Sequence, residues 1–254
     1  MTDSDDPFLP LERGHNFRDL GGYRTADGRR VRRGMVFRSG TMADLSEADI
    51  EQLSRLGIVC ICDLRTTSER TKHPTNWHDA TKVRLLAHDY DHSEGSLASL
   101  TLGDGAAVRS RMISLYRTLH EEQRASYAAL FARLIEGEVP LLFNCAAGKD
   151  RTGIAAALIL TALGVPRAAV IEDYVLSDRF AEPLFALLCR NPRYGLDAAS
   201  PRESWLPMTR AYPEYIETML DTLAHRHGSV AAYLAEQLGV DDQAIERLRD
   251  NLLE

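Results

Sequence analysis

Leu141-Leu142-Phe143-Asn144-Cys145-Ala146-Ala147-Gly148-Lys149-Asp150-Arg151-Thr152-Gly153 is the stretch on which the reading of this chain turns. Val139 to Asn144 is a short apolar run of strand length, and Thr152 to Leu163 is apolar at nearly every position, as in a helix buried on most sides. Gly164 ends that helix and Pro166 prevents its continuation. The loop between them starts at Cys145 and reaches Arg151 six positions later. At such a strand-to-helix junction the N–H groups of residues 146–151 can curl around the oxygens of an anion. Gly148 permits the curl, and the helix N-terminus adds its dipole. That environment favours a reactive thiolate at Cys145, the candidate nucleophile. Arg151 is the candidate clamp, able to hold two anion oxygens at once. Ala146, Ala147, Gly148, Lys149 and Thr152 are the candidate binding residues. Lys149 adds positive charge, and the Thr152 hydroxyl is suited to donate to the sulfur. The bland alternative is a buried structural Cys ahead of an ordinary helix cap. Chance would then have to supply Gly, Arg and a hydroxyl at these offsets as well.

Outward from that junction, strands alternate with helices. Met35–Arg38 and Ile58–Cys62 are predicted strands, and Lys82–Ala87 is a weaker one. Ser46 with Asp49 three residues on predicts a capped helix that stops at Gly57. His88–Gly105 is predicted as loop, Val108–Ile135 as a long helical region with a break, and Arg167–Asp178 as a further helix. Residues 181–210, with four prolines, are the candidate lid or irregular insertion. Three amphipathic helices close the chain, around Tyr212–Leu223, after Ser229, and from Asp241. The expected fold class is α/β, a central and mainly parallel sheet flanked by helices. Residues 1–15 are expected as a loose acidic leader and 16–254 as one domain.

The 254 residues include 44% hydrophobic and 26% charged, an ordinary globular balance. A net charge of -7 and a pI near 5.7 argue against a nucleic-acid surface but not against a local anion site. No apolar run is long enough to span a membrane, and the acidic N-terminus lacks a secretory pattern. A cytoplasmic protein is expected, with secretion by a route that leaves no visible signal still open. Cys60, Cys62, Cys145 and Cys189 form neither a zinc-site spacing nor a disulfide framework. Cys60 and Cys62 are expected to pack on one face of a strand. No cofactor and no metal is expected.

The loop resembles the C-x5-R signature of the protein tyrosine phosphatase superfamily. The longer string Cys145-Ala-Ala-Gly-Lys-Asp-Arg-Thr-Gly153 is similar to the bacterial tyrosine/dual-specificity branch, that of mycobacterial secreted phosphatase B and the listerial lipid phosphatase. Asn16-Phe17-Arg18-Asp19-Leu20-Gly21-Gly22, Phe37-Arg38-Ser39, Asp63-Leu64-Arg65 and Asp173-Tyr174 agree, so the resemblance runs from about residue 12 to the end. It implies a single cysteine-phosphatase domain, a helical lid at 181–210, and a two-step, metal-free mechanism through a cysteinyl-phosphate. The implied partners are phosphorylated proteins (phosphotyrosine, with phosphoserine and phosphothreonine) or phosphoinositides. One position departs: relatives carry His immediately before the nucleophile, and this chain has Asn144, which cannot become cationic.

Cleaving a phosphate ester calls for a proton at the leaving oxygen. The resemblance favours Asp150 as its donor, with Asp104, Asp91 and Asp89 as upstream alternatives. Asp63, Arg65, Arg18 and Arg38 are expected to brace the loop, and Asp173-Tyr174 to pack or hydrogen-bond within its own helix. His88-Asp89-Tyr90-Asp91-His92 could suggest metal ligands but suits a solvated loop better. A rhodanese-like sulfurtransferase and a phosphate-binding module without turnover are the competing readings.

Overall fold

The computed structural model describes residues 6–75, 77, 83–91, 104–190 and 196–254. Five strands, β1 (Arg18–Asp19), β2 (Val36–Ser39), β3 (Cys60–Asp63), β4 (Arg84–Ala87) and β5 (Leu141–Asn144), form one sheet in the order β1-β2-β5-β3-β4. Only β1 runs antiparallel to its neighbour. β5 is therefore central, with β2 and β3 parallel on either side, and the chain emerging from its carboxyl end lies over the middle of the sheet. Ligands of open parallel sheets sit at that edge.

Side chains alternate across β5. Leu141 and Phe143 enter the larger helical core, while Leu142 enters a second core with Phe37 and Ile61. Both faces are covered, which accounts for the unbroken apolar runs in the sequence. Cys60 and Cys62 are both buried in the larger core, on one face of β3 as expected.

The helices begin with α1 (Glu47–Ser54), where Ser46 and Asp49 form the predicted capping box. α2 (Thr67–Lys72), absent from the expected elements, has a capping box of its own from Thr66 and Glu69. The long helical region is in fact three helices, α3 (Gly105–Tyr116), α4 (Leu119–Glu122) and α5 (Arg124–Ile135). They are divided where Thr118 and Gln123 leave helical geometry. α6 (Asp150–Ala162) is the apolar helix after the loop, buried along almost its whole length. α7 (Arg167–Val175) tightens into a 3-10 turn over Leu176–Phe180.

The stretch expected as a lid or irregular insertion, and from the resemblance as a helical lid, is helical in its described parts, α8 (Ala181–Cys189) and α9 (Arg202–Thr209). Buried Trp205 stacks on Phe185 with ring centroids 4.0 Å apart. The carbonyl of Glu203 lies so close to Gly105 that a Cβ there would come within 2.2 Å of it, so α9 is seated on the start of α3. The closing helices α10 (Pro213–His227), α11 (Val230–Leu238) and α12 (Asp242–Leu252) follow the predicted pattern, with Gly239 in the left-handed region ending α11.

The loose leader is a correction for the described residues 6–15. Leu9 N–H donates to Phe17 O, and buried Asp49 accepts from the N–H groups of Glu12, Arg13 and Gly14. One α1 carboxylate thus holds the segment down besides closing its own capping box. Among the described residues no helix is long and apolar enough to cross a membrane.

Candidate active site

Cys145 directly follows β5 and is 2% exposed. The loop after it is fastened through its carbonyls. Thr41 N–H donates to Ala146 O (2.9 Å), and Asn16 Nδ2 donates to Ala147 O (3.4 Å) and Gly148 O (3.0 Å). Arg38 adds a second bond to Gly148 O at 2.9 Å. In a planar trans peptide the C=O and the next N–H point in opposite directions. Tying the carbonyls of 146, 147 and 148 to the scaffold therefore turns the N–H groups of 147, 148 and 149 the other way, as an anion cup requires. Gly148 has φ +70°, and a Cβ there would lie 2.5 Å from Gly40 N and 2.6 Å from the Ser39 carbonyl carbon. No other residue fits.

The support of this end is a buried ionic cluster. Asp173 on α7 receives Arg38 (2.5 Å) and Arg18 (3.3 Å), all three being almost fully buried. Arg18 also donates to Asp173 O and to the side chain of Asn16, which sits in the left-handed region. Burial would raise the Asp173 carboxyl, but Arg38 and Arg18 outweigh it and hold it below its ordinary value. Burial, with Arg38 beside it, brings Arg18 down to about 10, still charged at neutral pH. The expected bracing by Arg18 and Arg38 is present. The expectation that Asp173-Tyr174 packs or hydrogen-bonds within its own helix is corrected, because both side chains reach out of α7.

At the other end, Arg151 meets Glu69 of α2 across two bonds, NH1 to Oε2 (2.6 Å) and NH2 to Oε1 (2.8 Å). NH1 also donates to Leu64 O and to the Tyr90 hydroxyl. Nε is buried and has no partner among the described residues. Of the five guanidinium donors, Nε–H and the second NH2 hydrogen thus remain. They share one edge, the edge a phosphate takes side-on. Glu69 Oε2 also accepts Thr66 N–H as the capping-box carboxylate of α2.

Asp150 opens α6 and is buried. Its Oδ1 accepts from the Tyr116 hydroxyl (2.7 Å) and from Lys149 Nζ (2.7 Å), and the Tyr116 and Tyr174 hydroxyls lie 2.6 Å apart. Burial first, then the neighbouring Asp150 carboxyl, pushes both phenols well above their ordinary range, so both stay protonated donors. Gly153 makes room for this pair, since a Cβ there would be 2.8 Å from the Tyr174 ring. Lys149, expected to offer charge to a ligand, is 2% exposed and bonded to Asp150, with the Tyr215 ring beneath it at 5.8 Å. The Thr152 hydroxyl is directed at Ser39 O over a long 3.5 Å.

The remaining expectations sort by position. Arg65 pairs with Asp63 (2.7 Å) and donates to Thr41 Oγ1, so this ion pair braces the loop through Thr41. Asp104 caps α3, Asp89 pairs with Arg70, and Asp91 accepts Ser68 N–H, while Asp150 alone of the four acid candidates lies in the loop. His92 lies outside the described residues. Asn144 sits in register between Ser39 and Asp63, fully buried, and its amide has no partner among the described residues. Sequence reasoning missed Glu69, Tyr90 and Tyr116. The Thr66-x-x-Glu69 capping-box pattern would have placed Glu69 at a helix start directly after Asp63-Leu64-Arg65.

A family model described as the tyrosine phosphatase family matches residues 9–254. The chain belongs to the tyrosine phosphatase family. This phosphatase is 34% identical over 245 residues to a tyrosine-protein phosphatase of Cupriavidus necator, covering 94% of this chain and 85% of that one. It is 28% identical over 275 residues to the triple specificity protein phosphatase PtpB of Mycobacterium tuberculosis, covering 94% and 96%. Among solved structures, Pseudomonas aeruginosa TpbA in complex with phosphotyrosine matches at 20% identity and TM-score 0.31, covering 57% of this chain and 70% of that one.

Proposed function

We propose that this phosphatase hydrolyses phosphomonoesters without a metal, through a cysteinyl-phosphate at Cys145. Its substrates would be phosphotyrosine and phosphoserine/threonine proteins, with phosphoinositides as a further class. The observation that carries the reading is the fastening of three successive loop carbonyls to the scaffold, which turns the intervening amides into a cup beside Cys145. Ala146 to Lys149 and Thr152 frame the cup. Arg151 offers its Nε/NH2 edge to two phosphoryl oxygens while Glu69 grips the other edge.

In the first step the Cys145 sulfur forms a bond to phosphorus, the ester O–P bond breaks, and the leaving oxygen takes a proton from Asp150. In the second, water forms the new O–P bond, the S–P bond breaks, and the Asp150 carboxylate takes the water's proton. The Thr152 hydroxyl, turning from Ser39 O, donates to the departing thiolate. The broad substrate range is supported by the resemblance of the Lys149-Asp150-Arg151 loop and by the name of the mycobacterial relative, a triple specificity phosphatase.

The test is phosphate release from p-nitrophenyl phosphate in EDTA. Activity should survive the chelator and vanish in Cys145→Ser, and phosphopeptides and phosphoinositides then rank the substrates. A second reading, binding without turnover, is favoured by Asn144, whose buried amide replaces the family's His and has no partner among the described residues. Tight phosphopeptide binding with no phosphate release by freshly reduced protein would select it.

A further inference from the structure

We infer that the Tyr116–Tyr174 hydroxyl pair is the positioning device for the catalytic proton: it holds Oδ1 of Asp150 so that the proton is carried on Oδ2. This rests on Asp150 as the acid. Tyr116 has a single hydroxyl hydrogen, and its 2.7 Å bond to Oδ1 uses it. The 2.6 Å contact between the phenols must then be donated by Tyr174, which orients Tyr116. Lys149 Nζ makes the second bond to the same oxygen. A neutral carboxyl accepts through its carbonyl oxygen and donates through its hydroxyl oxygen. Two donors on Oδ1 therefore mark it as the carbonyl oxygen and leave the hydrogen on Oδ2. No hydrogen bond from the described residues reaches Oδ2, and Oδ2 is not among the buried polar atoms that lack a partner. It is the oxygen left to meet the ester. The proton that Oδ2 gives up in the first step is the one the carboxylate regains from water in the second.

The packing is arranged for this pair rather than for a generic core. Gly153, one turn into α6, is the small residue that admits the Tyr174 ring, and the two phenol rings meet edge-on with centroids 6.0 Å apart. The two phenols, closed off from water, and the carboxyl they end on form a polar chain in which each bond strengthens the next. The preceding residue, Asp173, holds Gly148 through Arg38. One dipeptide of α7 thus sets both the floor of the anion cup and the orientation of the acid.

The experiment compares kcat/KM on p-nitrophenyl phosphate, whose anion leaves almost unaided, with phenyl phosphate, whose anion needs a proton. A displaced acid costs more on the second substrate. Tyr116→Phe should lose about three-fold on the first and about thirty-fold on the second, and Tyr174→Phe should show the same bias at about five-fold on the second. Inhibition by inorganic phosphate should be unchanged in both, showing that the cup is intact. Asp150→Asn is the reference and should be biased most strongly. If Asp150→Asn is biased and neither Phe variant is, the positioning role is wrong and Asp150 stands as the acid. If Asp150→Asn shows no bias, the reading of Asp150 fails and this inference with it. Should Tyr116→Phe lose phosphate inhibition, Tyr174→Phe decides alone.

Discussion

The two ends of the phosphate loop are held by charges of the same kind under opposite conditions. At Gly148 the grip is Asp173 with Arg18 and Arg38, all sealed from water, the side chains of the pairs being 0% and 2% exposed. At Arg151 the grip is Glu69, whose side chain is 31% exposed at the start of a two-turn helix. A buried charge cluster is costly to assemble, and costlier to leave incomplete, so it has one stable arrangement. Glu69 keeps part of its hydration, but its partner Arg151 is 3% exposed and needs that carboxylate in place. The first end therefore serves the fold, while the second holds a guanidinium whose Nε/NH2 edge is left for a ligand. Breaking the first should remove the fold, and breaking the second should remove the function.

The largest expected effect follows from that contrast. Asp173→Ala leaves two guanidiniums buried without their carboxylate and should cost about 3–5 kcal/mol in equilibrium denaturation. Activity should be lost together with stability. Glu69→Gln should lower the denaturation midpoint less than Asp173→Ala does, because the remaining carbonyl oxygen can still serve the α2 cap and one Arg151 donor. It should lower kcat/KM about ten-fold, since Arg151 would no longer be presented at a fixed angle. Equal losses of stability in the two variants would undo the distinction. A Glu69→Gln enzyme with unchanged kcat/KM would show that Arg151 is positioned by Leu64 O and Tyr90 instead.

The same contrast explains how far the sequence could be read. The junction at Leu141–Gly153 was legible because one contiguous stretch encodes strand, turn and buried helix, and the geometry of the loop follows from that order. Arg38 was legible as the charged end of a predicted strand, and Arg18 through the motif in which the resemblance places it. Their partner Asp173 reads from the sequence as a motif residue tied to its own helix, since nothing in 173–174 says which element α7 packs against. Tyr116 was invisible in a different way. Among the apolar residues of α3 it reads as one more core position, and only tertiary packing shows that its hydroxyl ends on Asp150. Glu69 was legible in principle, through Thr66-x-x-Glu69, but a six-residue helix has too short a periodicity to announce itself. The leader at 6–15 was misread because its anchor, Asp49, is distant in sequence and also fits a simple capping role.

A pH titration sharpens the comparison at lower amplitude by separating the buried brace from a buried group that plays no part in the loop. His120 of α4 is enclosed beside the Tyr233 ring and its Nδ1 has no partner among the described residues. Burial brings its pKa down from 6.5 to about 4. Between those values the unfolded chain binds a proton that the folded one refuses, so stability is full above pH 6.5 and declines as the pH falls toward 4. The slope is at most about 1.4 kcal/mol per pH unit for one proton. The Asp173 carboxyl is depressed instead below 3.8, so the brace adds its stability above that value and loses it only in stronger acid. Acid should therefore weaken the protein in two stages, first through the imidazoles of His120 and His15, both lowered by burial, and then through Asp173. Thermal melts of His120→Phe, which keeps a ring against Tyr233 but cannot titrate, should be flatter between pH 6.5 and 4.5 than those of the wild type by a few degrees. A variant curve that parallels the wild type across that window would place the first stage at His15, the other imidazole that burial depresses, and not at His120.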